Sequence, residues 1–259
     1  DFRRGNAFCS GLWLYLMQFA MAFKIIGVLL ILFSSAMLPS LFLSLVSQDG
    51  IESAFAIGFG ATLAAGMLLW LPNRLLRRDL NIRDGFLVTA LFWIVLGLFG
   101  AIPLWITPQL SLSPVAAIFE SISGLTTTGA TVITGLDALP QSILLYRQLL
   151  QWLGGIGIIV LAVAILPMLG IGGMQLYRAE SAGPSKDRKL TPRITSTAKA
   201  LFGIYLLLTV ACALSYFAAG MSPFDALCHA FSTVAIGGFS THDASLGHYD
   251  EHAILLVSS

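Results

Sequence analysis

Hydroxyl-bearing residues crowd around one glycine at residues 126–131, which read TTTGAT. A dehydrated cation needs oxygen ligands, and backbone carbonyls from loops that enter a membrane supply them without a buried countercharge. Glycine suits such a loop, because turning successive carbonyls toward one axis takes backbone angles that a Cβ penalises. The threonine hydroxyls can add ligands. The alternative interpretation is a set of hydroxyls bonded to helix carbonyls inside a bundle.

A short helix must position this loop. Ser113 and Pro114 predict its start, because serine caps free N–H groups and proline in the first turn loses no needed donor. We expect the helix to end near Leu125, since about a dozen residues at 1.5 Å each reach roughly 18 Å, a little over half the hydrocarbon thickness. The segment is therefore predicted to dip into the membrane and return, with its loop facing water or ions.

The same segment occurs twice. Residues 222–240 align to residues 113–131 without a gap, and the apolar stretches that precede the two copies, ALFWIVLGL and ALFGIYLLL, share six of nine residues. Glu120 and His229 occupy equivalent positions in the two short helices. Ionisable groups at membrane depth indicate function, with hydrogen bonding behind the loop as the equal alternative. We infer a duplicated unit of spanning helix, half-helix with loop, and spanning helix.

The composition is that of an integral membrane protein. Hydrophobic residues make up 57% of the chain, charged residues 10%, and the mean hydropathy is +0.86. A net charge of +1 argues against nucleic acid as a partner. The partner expected from the composition is the lipid bilayer. The three cysteines have neither paired nor metal-ligand spacing, so they are interpreted as small apolar residues.

Charge placement predicts the topology. Two segments, 72–84 and 171–199, carry the basic clusters, and the positive-inside rule places both in the cytoplasm. The N-terminus is then cytoplasmic, both loops enter from the outer side, and the two repeats run parallel. The outer loops hold acidic residues and no lysine or arginine, a mouth that would concentrate cations: Asp49, Glu52, Asp137, Asp243, Asp250 and Glu251.

These patterns predict an all-α membrane protein of parallel repeats, each a transmembrane helix, a re-entrant pore half-helix with filter loop and a transmembrane helix, preceded by a two-helix N-terminal unit. Residues 1–24 are an N-terminal extension, either a membrane-associated helix or not native sequence. The predicted units are 25–72 for the two-helix unit, kinked at Pro39, 85–170 for the first pore repeat, 171–199 for the cytoplasmic basic loop and 200–259 for the second pore repeat, cut at its last helix.

Several other polar and small residues have less specific interpretations. Arg147 is expected near the outer interface, with its charged end reaching the water. Outer-loop histidines are expected to be solvated rather than bound to metal: His242, His248 and His252. Glycines in the helix after the first loop favour close helix packing over phosphate binding: Gly154, Gly155 and Gly157.

Three strings, GLTTTGAT, LLYRQLLQWLGGIGIIVLAVAILPMLGIGGMQLYRAE and AIGGFSTHD, resemble the TrkH-type membrane subunits of Trk potassium uptake systems, in the Trk/Ktr/HKT superfamily. The resemblance runs from about Met17 to the end and implies the N-terminal portion, with two of four repeats around one pore. It assigns one filter glycine to each repeat. The implied potassium ligands are backbone carbonyls of Thr127, Thr128, Gly129, Ile236, Gly237 and Gly238.

The resemblance also implies the function. It predicts a pore-forming subunit for potassium uptake in the bacterial inner membrane, with K⁺ as substrate and no organic cofactor. Such subunits are usually homodimers gated by a cytoplasmic nucleotide-binding regulatory subunit of the TrkA type. In the plant relatives, serine in place of the first-loop glycine goes with sodium permeation. Channel-like flux and coupled transport both stay open.

Two other functions compete with this prediction. One is a non-conducting membrane scaffold that binds a cytoplasmic partner through residues 175–199. The weaker one is an intramembrane enzyme using Glu120, Ser121 or His229, which no H-E-x-x-H or G-x-S-x-G motif supports. We therefore expect a protein that is not an enzyme and has no catalytic residues.

Overall fold

The computed structural model describes residues 20–76, 82–165, 187–249 and residue 254, and within that part every regular element is helical. The all-α prediction is confirmed. In chain order the helices are α1 (20–34), α2 (Leu38–Ser47), α3 (Glu52–Trp70), α4 (Ile82–Ile106), α5 (Pro114–Leu125), α6 (Gln141–Ile165), α7 (Asp187–Ala218) and α8 (Pro223–Val234).

Four stretches of the described residues are long and apolar enough to cross a membrane. They are Ala20–Ser47, Glu52–Asn73, Leu87–Ile106 and Ser196–Ala218, with lengths of 20 to 28 residues. Helix α6 has 25 residues, which is long enough to cross. It is not among these four stretches, and its first half carries several polar side chains. Helices α5 and α8 have 12 residues each, too few to cross.

The first spanning stretch is interrupted. A 3-10 turn at Ser35–Met37 separates α1 from α2, and Pro39 lies in the first turn of α2. The break therefore precedes the proline that the sequence suggested as a kink, because proline is tolerated in a first turn, where its missing N–H has no partner to lose.

The predicted basic loop 171–199 differs from the structure at its end. Residues 187–199 form the first turns of α7. The helix therefore begins before the membrane-spanning stretch that the sequence predicts from about residue 200. Residues 166–186, which hold most of that loop, lie outside the described residues, and so do residues 1–19 of the predicted extension.

The N-terminal unit packs against the first repeat through one apolar core. Phe55 of α3 meets Tyr146 of α6 edge-on, with ring centroids 5.4 Å apart. The Tyr146 hydroxyl donates to the Gly100 carbonyl of α4 at 2.8 Å, and Ser142 of α6 donates to the Asp49 carboxylate at 2.6 Å. Helix α6 is thereby held from one side by the N-terminal unit, and this fixes the side chains that it directs at the loops.

Candidate ion-filter site

The two half-helices begin in the same way. The Ser113 hydroxyl accepts from the Ala116 N–H at 3.2 Å, and the Ser222 hydroxyl accepts from the Asp225 N–H at 3.1 Å. A proline follows each capping serine as the first helical residue. Capping satisfies N–H groups that have no partner in the helix, so each half-helix has a defined start. Helix α5 ends at Leu125, as the sequence predicted.

The two loops also share one backbone conformation. Thr127 and Gly129 have φ values of 55° and 77°, and the residues 109 positions later, Ile236 and Gly238, have 55° and 85°. Threonine and isoleucine rarely adopt positive φ, because their branched Cβ crowds the backbone. Such strain persists only where the surroundings impose it, and it clusters at functional sites. The two loops therefore share left-handed backbone at two equivalent positions, each pair two residues apart.

Hydrogen bonds close both loops at equivalent positions. The Thr128 N–H donates to the Ser123 carbonyl at 2.9 Å, and the Gly237 N–H donates to the Ser232 carbonyl at 2.8 Å. Each bond folds the chain back over the C-terminal end of its half-helix. The negative end of the helix dipole then points toward the loop, which favours a cation there.

The loops meet at the two predicted filter glycines. A Cβ added to Gly129 would lie 2.0 Å from the carbonyl oxygen of Gly237, so only glycine fits. A Cβ on Gly238 would find nothing closer than 4.0 Å, and that position needs glycine for its φ alone. The predicted ligand residues of the two repeats are thus adjacent across the repeat boundary. Their role as potassium ligands stays a prediction.

Equivalent polar pairs hold each loop from behind. Thr131 donates its hydroxyl to the Glu120 carboxylate at 2.9 Å and accepts from the Ile133 N–H at 3.1 Å. The Ser240 hydroxyl, 109 positions later, bonds to His229 Nε2 at 3.0 Å and accepts from the His242 N–H at 3.1 Å. Of the two interpretations of Glu120 and His229, this geometry supports hydrogen bonding behind the loop.

The tautomer of His229 follows from its two contacts. Its Nδ1 lies 2.9 Å from the Asp225 carbonyl, which can only accept. The proton therefore sits on Nδ1, and Nε2 accepts from Ser240. In the second repeat the neutral His229 ring thus accepts a hydrogen bond from a hydroxyl, as the Glu120 carboxylate does in the first.

The expectation that the charged end of Arg147 reaches water is wrong. Its side chain is fully buried, and its Nε donates to the Glu120 carboxylate at 2.9 Å. The same guanidinium donates to Thr131 at 3.0 Å and to the Ser240 carbonyl at 3.2 Å, and its Cζ lies 4.4 Å from the centroid of the Phe239 ring. One planar group with five donors can satisfy several acceptors at once. Arg147 therefore joins the two loops from behind.

Gln151 is a second contact that the sequence analysis missed. It lies one helical turn beyond Arg147 on α6, and its side-chain oxygen accepts from the Phe239 N–H at 3.2 Å. A Cβ on Gly237 would lie 2.3 Å from the Gln151 side chain, so the two are packed together. The spacing of Arg147 and Gln151, four residues apart in an apolar helix, is the signal that could have found this face.

The glycines of α6 let this helix enter between the repeats. A Cβ on Gly154 would lie 1.9 Å from the Leu125 carbonyl oxygen, and one on Gly155 would lie 2.4 Å from the Tyr205 hydroxyl. The prediction that Gly154 permits close packing is confirmed. Because its neighbour is the C-terminal end of α5, any side chain at this position would push on the first loop.

The two loops border an open cavity of about 430 Å³ on the side of the second repeat. Its lining includes Thr128, Ile236, Gly238 and His229. The Ile236 side chain is 88% exposed although it sits on strained backbone, so its own packing does not hold the loop in place.

The acidic residues of the predicted outer mouth have different roles in the structure. Asp49 accepts from the hydroxyls of Ser44 and Ser142, and Asp243 accepts from the N–H groups of Gly135 and Leu136, at 3.0 and 3.1 Å. Both carboxylates therefore stabilise turns. Asp137 is exposed, and the hydrogen bond from His242 lowers the pKa of its carboxyl. Asp250 and Glu251 lie outside the described residues.

Comparison with known proteins identifies the family. The family model described as TrkH, cation transport protein, matches residues 51–259. The chain belongs to the TrkH family. It is 63% identical over 243 residues to the Trk system potassium uptake protein TrkH of Halomonas elongata, which covers 94% of this chain and 50% of that protein. The TrkH protein of Escherichia coli K12 is 56% identical over 238 residues, 92% of this chain and 49% of that protein.

A solved structure supports the fold of this TrkH-family chain. The crystal structure of the potassium transporter TrkH from Vibrio parahaemolyticus superimposes with a TM-score of 0.83 at 53% sequence identity, and covers 93% of this chain and 48% of that one. The chain therefore spans about half the length of the relatives it matches.

The family is one of transport proteins, which contradicts the enzyme alternative. Its three candidate residues also lack the geometry of a catalytic site. Glu120 is paired with Arg147, and Ser121 is buried against Gly100 of α4. His229 belongs to the other half-helix, where it bonds to Ser240.

Proposed function

We propose that this chain contributes the first two filter loops of a potassium-uptake subunit in the bacterial cytoplasmic membrane. The carrying observation is the pair of loops that share positive φ at equivalent positions and meet where Gly129 abuts the Gly237 carbonyl. The filter ligands would be the carbonyls of Thr127, Thr128 and Gly129 and of the three equivalent residues 236–238. Potassium would bind there as the transported substrate.

The support from relatives is the identity of 56–63% to proteins named Trk system potassium uptake protein TrkH. A ring of carbonyls surrounding an ion needs loops from all sides, and two loops supply about half of such a ring. We therefore assign the transport activity to the full-length protein and test it there.

The deciding experiment is Gly129→Ser in the full-length protein, reconstituted in liposomes, with the ratio of potassium to sodium flux as the readout. A side chain at Gly129 meets the Gly237 carbonyl, so the ligand spacing must change. Hundredfold discrimination corresponds to about 2.7 kcal/mol, which a small displacement of ligands erases. We expect the ratio to approach 1.

The matched control is Gly203→Ser, where an added Cβ would find open space on α7. Gly154→Ala is unsuitable as a control because of its contact with Leu125. A Gly129→Ser protein that is folded and keeps the wild-type ratio would refute the filter assignment. Flux absent from the wild-type protein would favour the scaffold alternative instead.

We further propose that the subunit is a homodimer with a cytoplasmic N-terminus and that a nucleotide-binding regulatory protein docks on its basic face. The support is the six basic residues at 178–199 and the resemblance to Trk systems. Neutralising Arg178, Lys186, Arg188 and Lys189 together should weaken copurification of that partner. Unchanged copurification from correctly oriented protein would leave these charges the role of orienting the chain toward anionic lipid.

A further inference from the structure

Three ligand-bearing side chains from distant parts of the chain converge above the two loops. Asp137 follows the first loop, and His242 and His248 follow the second, more than 100 residues later. One carboxylate oxygen and one nitrogen from each ring all lie within 4.8 Å of one another. We propose that Asp137, His242 and His248 form a site for a divalent transition-metal ion such as Zn²⁺, which would tie together the outer loops of the two repeats.

The chemistry of the three groups fits such an ion. Imidazole nitrogens and a carboxylate oxygen are ligands that zinc takes at about 2.0–2.2 Å, with water in a fourth position. Tetrahedral geometry at that length places ligand atoms about 3.3 Å apart. His242 Nδ1 already lies 2.5 Å from the Asp137 carboxylate, and the other separations are at most 4.8 Å. A metal ion lies in the plane of each ligating ring, so the His248 ring must turn out of its parallel stack on His242 to bind the same ion. Asp137 and His248 are exposed, which leaves room for their side chains to rotate to these separations.

The position of His242 is set by the groups around it. Its ring stacks on His248 at 3.7 Å with an interplanar angle of 1°, and both rings meet Tyr249 edge-on. Its Nε2 is buried without a hydrogen-bond partner and lies 3.6 Å from the Asp225 carboxylate. With Nδ1 on a metal, the ring proton must sit on Nε2 and face Asp225. A carboxylate behind a ligating histidine is the usual outer partner of a zinc site.

Several fixed contacts hold the parts of the site together. The Asp243 N–H lies 3.4 Å from the Asp137 carboxylate, and the Asp243 carboxylate in turn binds the backbone at Gly135 and Leu136. Asp225 is held by the hydroxyls of Ser222 and Thr241, both at 2.7 Å. The loops of the two repeats are thus joined by hydrogen bonds before any metal arrives, which lowers the ordering cost of binding.

Metal binding to the full-length protein in detergent tests the proposal without reference to ion transport. Zn²⁺ alone is titrated in competition with a chromophoric chelator, for wild type, His248→Phe and Asp137→Ala. Phenylalanine keeps a ring in the stack but has no ligand nitrogen. The matched control is Glu52→Gln, an acidic residue at the start of α3 that lies outside the cluster.

We expect one Zn²⁺ per chain in wild type and in Glu52→Gln, and affinity reduced more than about tenfold in both site variants, since even outer partners of zinc ligands are worth 10–100-fold. Excess Mg²⁺ should not displace the zinc, because Mg²⁺ prefers oxygen ligands in octahedral geometry. Thermal unfolding without metal verifies that each variant is folded. Equal affinity of wild type and His248→Phe, or displacement by Mg²⁺, would overturn the site.

Discussion

The two half-helices present the same backbone held by different chemistry. In the first repeat Glu120 is a buried anion that needs Arg147, whereas in the second repeat His229 is neutral and satisfied by a carbonyl and a hydroxyl. At the offset of 109 residues, His229 stands in the place of Glu120, so the second half-helix carries no carboxylate at this position. A buried carboxylate needs a basic partner, whereas a neutral imidazole is satisfied by hydrogen bonds alone.

Because of Arg147, the first repeat stabilises both loops. Arg147 donates to Glu120 and Thr131 in its own repeat and also to the Ser240 carbonyl of the other. The second loop thus depends on a side chain from the first repeat, while no described contact of His229 reaches the first loop. A change at Arg147 should affect both loops, and a change at His229 mainly one.

The largest expected effect is that of Arg147→Ala. It leaves Glu120 buried without a countercharge and removes the bond between the loops, which should destabilise the full-length protein by about 3–5 kcal/mol in thermal unfolding. The double variant Glu120→Gln with Arg147→Leu, which removes both charges together, should lose much less, because neither charge is left unpaired. Equal loss in the single and the double variant would mean that the unpaired charge is not the cause.

The next largest effect should distinguish Gly129 from Gly238, the two predicted filter glycines. Gly129→Ala forces a Cβ against the Gly237 carbonyl, whereas Gly238→Ala adds only the strain of a left-handed residue, about 1–2 kcal/mol. The potassium to sodium flux ratio should collapse in the first variant and fall only partly in the second. A greater loss at Gly238 would show that backbone angle, not space between the loops, controls selectivity.

A smaller effect is expected from His229. His229→Leu leaves the Ser240 hydroxyl and the Asp225 carbonyl without this ring as a partner, and should cost about 1–3 kcal/mol of unfolding free energy. His229→Gln keeps an amide that can both accept and donate, so it should retain most of the stability. If both variants unfold at the wild-type temperature, the bond to Ser240 does not support the second loop.

The smallest expected effects come from the two caps. Ser113→Ala and Ser222→Ala each remove one capping bond and should each cost about 1 kcal/mol. The second should cost a few tenths more, because the Ser222 hydroxyl also donates to the Asp225 carboxylate at 2.7 Å. Threonine at either position serves as the control. A loss confined to one cap would mean that only that half-helix needs its starting point defined.

Local rules explain how much of the candidate site could be predicted. Capping, proline placement and helix rise involve residues within a few positions of one another, so the start at Ser113 and the end at Leu125 could be read from the chain. The positive φ of Thr127 could not be read in this way, because a β-branched residue avoids that conformation unless its surroundings impose it.

The helical class, the repeat at 109 residues and the two short helices could be read from the chain alone, because periodicity, composition and caps act locally. The partner of each buried polar group depends instead on how the helices pack. Arg147 lies 27 residues from Glu120 and 93 from Ser240, and Asp137 lies 105 from His242. A charged side chain in an apolar helix must be paired or reach water, and the sequence does not distinguish these outcomes. Arg147 is paired because α6 packs between the loops. This packing buries the guanidinium and places three acceptors within its reach, in Glu120, Thr131 and Ser240.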